Sequence, residues 1–168
     1  MEKAVTEDVT TFVLCSPHNP VGRVWTKEEL ARVGEICKKN NVLVIADEIH
    51  SDLVYAGYVH TPFALASDAP HLLCTSLGKT FNVAGLRLAN IFSSSAELKK
   101  QYDQEIDAYS YSASNTFGLE MVQAAYSPEG EAWLEELLVY LQGNVEVVSE
   151  WCQKHNVGFT APQGTFLC

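Results

Sequence analysis

No run of apolar residues in this chain approaches the roughly 20 that a membrane-spanning helix needs, and the longest are about strand length. The first residues, Met1-Glu-Lys-Ala-Val-Thr-Glu-Asp8, lack the apolar core of a signal peptide, so a cytoplasmic protein is expected. Basic residues are scarce: 11 Lys and Arg stand against 21 Asp and Glu, a net charge of −10 over 168 residues. Nucleic acids and anionic membrane surfaces are held by surplus Lys and Arg, so neither is expected as a partner. An anionic ligand must then be held by a local cationic site.

Paired cysteines are missing too. The five present (Cys15, Cys37, Cys74, Cys152 and Cys168) are odd in number, widely spaced and without a C-x-x-C pair. The first four lie in apolar stretches, where a free thiol behaves as a small hydrophobe, so reduced cysteines are expected and neither disulfides nor a zinc site. His18, His60, His71 and His155 show no metal-ligand spacing and read as structural. There is no G-x-G-x-x-G, and Gly78-Lys79-Thr80 is not the end of a P-loop, because Leu73 occupies the position of that motif's first glycine. Neither an internal repeat nor a low-complexity segment is present.

What remains is a globular composition, 47% hydrophobic and 19% charged, in a chain long enough for one ordinary core. Thr11 to Cys15 is a short β-prone run that stops at Ser16-Pro17. Thr26-Lys-Glu-Glu29 is a capping box that opens a helix to about Asn40, with Leu30, Val33, Gly34 and Cys37 on one face. Val42 to Ala46 is an apolar strand ending on Asp47, and His71 to Thr75 is a third. Strand, helix and strand at this spacing predict a mostly parallel α/β sheet, and near-continuous apolar strands predict cover on both faces. Leu88 to Phe92 follows too soon for a crossover and should return antiparallel. Helices are expected from Ser95, from Asn115 to Tyr126 and, after a break at Pro128-Glu-Gly, from about Glu131 to His155. Trp25, Trp133 and Trp151 read as packing anchors.

Ligands of such sheets bind beyond the carboxyl ends of the strands. Three polar motifs lie there: Asn19-Pro-Val-Gly22, Asp47-Glu-Ile-His50, and Ser76-Leu-Gly-Lys79 with Arg87. A lysine just past a buried strand, with a hydroxyl and a guanidinium nearby, joins a reactive amine to an anion site. That pairing suits pyridoxal phosphate, which carries an aldehyde and a phosphate.

The three motifs, in this order, resemble those of the class I and II aminotransferases, the fold-type I enzymes of pyridoxal phosphate. With their flanks, Ser16 to Trp25 and Asp47 to Leu53, they look most like the cystathionine β-lyase, or C–S lyase, branch. The resemblance implies a partial three-layer sandwich of the aspartate aminotransferase-like fold, with residues 1–112 in the cofactor domain and 113–168 leading through helices into a truncated small domain. The family's chains are more than twice as long, so a central-to-C-terminal piece is expected. Thr160 to Cys168 would be the small domain's next strand.

By the same resemblance Lys79 is the Schiff-base lysine and the base at the substrate's Cα. Asp47 would face the pyridine nitrogen and Asn19 the ring's 3-hydroxyl. His50 stands where many aminotransferases have a tyrosine, and Ser76 and Arg87 would hold the phosphate. The substrate would be an amino acid and the whole enzyme a homodimer. A C–S lyase is the first expectation and an aminotransferase the second. A third is an inactive remnant serving as a structural domain, because the family's glycine-rich phosphate turn and its carboxylate-binding arginine fall outside these residues. Singly, each motif has a bland reading: a surface lysine, an Asn-Pro turn, or a turn-forming aspartate.

Overall fold

A computed structural model describes residues 1–111 and 115–168. β1 (Thr11–Cys15), β2 (Leu43–Asp47), β3 (His71–Thr75) and β4 (Asn90–Ser93) form a four-stranded sheet in chain order. The first three are parallel and β4 returns antiparallel to β3, as its short connection requires, though two residues later than the sequence pattern suggests.

Between β1 and β2 runs α1 (Lys27–Lys39). Its capping box is complete: the Thr26 hydroxyl accepts the Glu29 N–H and the Glu29 carboxylate accepts the Thr26 N–H. Asn41, at φ 56°, turns the chain into β2. The short α2 (Phe63–Ala66) joins α1 on one face of the sheet. Leu14, Leu30, Cys37, Val42, Val44, Ala46, Phe63 and Leu73 close there into a continuous buried core.

The opposite face is covered less evenly than the apolar strands predict. α4 (Ala96–Ala108) packs along β4, where Tyr102 and Ile106 share a cleft with Ile91. At the other edge of the sheet, Val13 of β1 is 63% exposed. Strand hydrophobicity reports which faces can be buried, not what is there to bury them.

After β3 come the one-turn α3 (Leu77–Thr80) and a 3-10 turn over Ala84–Leu86. α5 (Thr116–Ala125) and α6 (Pro128–Lys154) complete the order. Pro128 is no break: Ser127 caps the helix and Pro128 occupies its first position, where a missing N–H costs nothing. Two tryptophans are not core anchors either. Trp133 stacks on Phe81 and Trp151 meets His155 at a tilt, and both remain substantially exposed. Trp25 does pack on the core, and its indole N–H donates to the Cys15 carbonyl at 3.0 Å.

Residues 160–168 form no strand, only a single antiparallel bridge between Gly164 and Val54. The domain boundary expected at residues 112 and 113 falls outside the described residues. All five cysteines are free thiols. Among the described residues, no helix is long and apolar enough to cross a membrane and no group of side chains could hold a metal ion.

Candidate cofactor site

Register brings the motifs together. Cys15, Asp47 and Cys74 are cross-strand neighbours at the carboxyl ends of β1, β2 and β3, so the segments that follow leave the sheet along one edge. Ser76 caps α3, accepting the Gly78 N–H at 3.0 Å and donating to the Leu88 carbonyl at 2.7 Å. The one-turn helix then presents Lys79, half-buried, to a cleft of about 250 Å³. Ile49, Ser76, Gly78, Lys79 and Arg87 line that cleft. Arg87 reaches it from a left-handed residue, φ 50°, that ends the 3-10 turn.

Two cations thus line one cleft in a chain that carries ten surplus negative charges. Neither meets a carboxylate within 4.0 Å among the described residues, whereas four of the other basic residues, Arg23, Arg32, Lys38 and Lys99, do. What sets Lys79 and Arg87 apart is that both line one cleft, where together they could meet an anion. Ser76 contributes less directly than its place in the motif suggests. Its one proton is used on Leu88, which leaves an acceptor lone pair beside the cleft.

His50 lies within the electrostatic reach of Lys79. It is 1% exposed, and neither of its ring nitrogens has a partner among the described residues. Burial and then the Lys79 charge hold its pKa below the ordinary histidine value, with Asp47 acting the other way. The imidazole is therefore neutral at physiological pH, with one N–H to give and one lone pair to fill. Buried polar groups are normally satisfied, so two unpartnered ring nitrogens on one buried side chain are an exception to that rule.

Asp47 is half-buried, and the only hydrogen bond to its carboxylate among the described residues is from the Ile49 N–H, at 3.3 Å. Burial above all pushes the thiols of its neighbours Cys15 and Cys74 up, and the Asp47 charge adds to both. Both sulfurs stay protonated, so Asp47 is the anion of that row. A carboxylate without a cation at this depth can serve a protonated ring nitrogen. Asn19 stands apart: it is exposed on the loop after β1, with its N–H on the Cys15 sulfur at 3.4 Å.

Sequence reasoning missed two features here. Glu48 is fully buried, pairs with His60 at 2.8 Å and accepts the Phe63 N–H at 2.7 Å, which pins the turn between Asp47 and His50 from below. A glutamate beside a motif aspartate carries no local signal of such a partner. Gly22 is the second. It sits at φ 68°, where a Cβ would lie 2.3 Å from the Pro162 Cβ, so the end of the chain packs against the Asn19 loop.

The model of the family "Aminotransferase class I and II" matches residues 1–168, and the chain belongs to that family. It is 40% identical over 140 residues to cystathionine beta-lyase PatB of Bacillus subtilis, covering 82% of this chain and 36% of that protein. Among solved structures, the PLP-bound C-S lyase of Staphylococcus hominis superposes with a TM-score of 0.86 at 35% identity, over 94% of this chain and 40% of that one. N-Succinyldiaminopimelate aminotransferase of Mycobacterium tuberculosis gives 0.84 at 27%, over 98% of this chain and 42% of its own. The fold is therefore part of the one these enzymes share, and the chain spans about two fifths of the length of the relatives it matches.

Proposed function

We propose that this chain carries the lysine-bearing part of a pyridoxal-phosphate enzyme acting on amino acids, in its most specific form a C–S lyase that eliminates across Cα and Cβ. One observation carries the reading: Lys79 and Arg87 line a single cleft without acidic partners, and a buried histidine whose ring nitrogens are both unpaired lies within the electrostatic reach of Lys79. That donor set fits pyridoxal phosphate, which when bound supplies an aldehyde for an amine and a ring that accepts electrons.

The roles follow from chemistry. The Lys79 amine would hold the cofactor through its aldehyde, with loss of water, and when free would be the base for the substrate's Cα proton. Arg87 offers its planar fork to phosphate oxygens, and Ser76 holds the α3 turn that aims Lys79. Asp47 supplies a carboxylate to a ring nitrogen. His50, neutral, would donate an N–H to the ring's oxygen, and Asn19, exposed on the loop after β1, is the second donor proposed for that group. Likeness to the B. subtilis and S. hominis proteins supports the lyase. Likeness to the M. tuberculosis aminotransferase supports the second reading, in which Lys79 returns the proton to a different carbon and no β group leaves. The working enzyme is, on this proposal, a cytoplasmic homodimer.

Titrating the purified chain with pyridoxal phosphate tests the reading. A saturable visible absorbance band that is lost in Lys79→Ala, with the far-UV circular dichroism unchanged, is the expected result. An equal band in both proteins, or none in either, overturns it.

A further inference from the structure

We propose that Pro162–Phe166 is a positioning clip, which fastens the loop carrying Asn19 to the loop carrying His50 and closes Phe166 over the His50 ring. Three hydrogen bonds run to each loop. On the Asn19 side, the Gln163 and Gly164 N–H groups both donate to the Gly22 carbonyl, at 2.8 and 3.0 Å, and the Gln163 side-chain oxygen accepts the Val24 N–H at 2.8 Å. On the His50 side, Tyr55 N–H donates to the Gln163 carbonyl at 3.0 Å and Thr165 N–H to the Leu53 carbonyl at 2.7 Å. The Tyr55 hydroxyl adds a bond to the Thr165 carbonyl at 2.5 Å.

The fastened residues lead straight to the site. Gly22 N–H donates to the backbone carbonyl of His18, next to Asn19, and Leu53 N–H to the backbone carbonyl of His50. The fit is tight at both ends: a Cβ on Gly22 would strike Pro162, and one on Gly164 would lie 2.5 Å from the Leu53 oxygen. Phe166 meets the His50 ring edge to face, with centroids 5.8 Å apart. The charged groups facing that ring are Lys79, from α3, and Asp47, at the end of β2. Phe166 adds no charge and keeps water away.

Two loops after different strands otherwise share no covalent reason to keep their spacing. Fixing them in advance removes the ordering cost that a ligand spanning them would meet. Gln163 to Phe166 act through Asn19 and His50, and are positioning residues.

The test uses the 168-residue chain and needs no cofactor. In Gly164→Ala, amide hydrogen exchange at Val24 and Tyr55 should quicken by about tenfold or more, while Val44 in β2 stays protected and certifies the fold. In Phe166→Ala, the His50 imidazole, followed by NMR, should titrate at higher pH than in the parent, and Phe166→Leu should restore most of the difference. Unchanged exchange at Val24 and Tyr55 with Val44 protected, or an unmoved His50 titration in Phe166→Ala, would overturn the clip. Should Val44 lose protection in Gly164→Ala, the Phe166 pair alone decides the question. Because the clip refers to the site proposed above but is read without pyridoxal phosphate, its failure and a failed cofactor titration are separate results.

Discussion

α1 and α6 are both amphipathic, both opened by a hydroxyl N-cap, and the molecule treats them differently. α1 has 13 residues and buries Leu30, Gly34, Ile36 and Cys37 against the sheet. α6 has 27 and buries only Cys152, while Trp133, Val139, Tyr140, Val147 and Trp151 stay exposed. The contrast teaches that periodicity declares a stripe in need of cover without declaring the cover. It also divides the molecule: the lysine cleft is mounted on the region with a continuous core, where the ends of β1 to β3 are held in register, and the clip reaches it from the far end of α6.

Phe63 is where the well-packed region should break first. It is fully buried, meets His71 edge to face, and its N–H is held by Glu48. Phe63→Ala should cost about 3–5 kcal/mol in chemical denaturation, because the cavity cannot collapse between α1, α2 and the sheet. A loss below about 1 kcal/mol would mean that the core is as loosely held as α6.

A smaller effect links that region to pH. The folded pKa of His50 lies below its ordinary value of 6.5, chiefly through burial. As pH falls through that ordinary value, the unfolded chain takes up this proton before the folded one does. The stability from keeping His50 neutral is therefore complete above it, and is lost as pH falls toward the lower, folded value. His50→Asn should flatten this slope in denaturation midpoints taken between about pH 5 and pH 8. An unchanged slope would show that His50 already meets water.

What could be read from the residues was what is local. The capping box at Thr26, the antiparallel return after Lys79 and the strand ends bearing Asp47 and Lys79 each follow from a few neighbouring side chains, and all are present. Pro128 misled because the same residue that ends one helix can begin another, and Ser127 before it was the deciding signal. The Glu48–His60 pair and the bond between Tyr55 and Thr165 join side chains whose partnership leaves no mark on spacing. Trp133 and Trp151 failed as anchors for the reason that α6 differs from α1: size and hydrophobicity do not supply a partner surface.

The comparison is sharpest at Val139. This side chain is 76% exposed near the middle of α6, and serine there loses little apolar burial and has a similar helix propensity. In the isolated chain Val139→Ser should change stability by less than about 0.5 kcal/mol, the range of ordinary surface substitutions. Denaturation at two protein concentrations tests more than the size of the change. A midpoint independent of concentration, together with a small effect, means that α6 is uncovered in solution as it is in the structure. A larger loss that grows with concentration would mean that a second copy covers the stripe, since a partner that binds only the folded state stabilises it by mass action. α6 would then differ from α1 in where its cover comes from, and not in whether it has one.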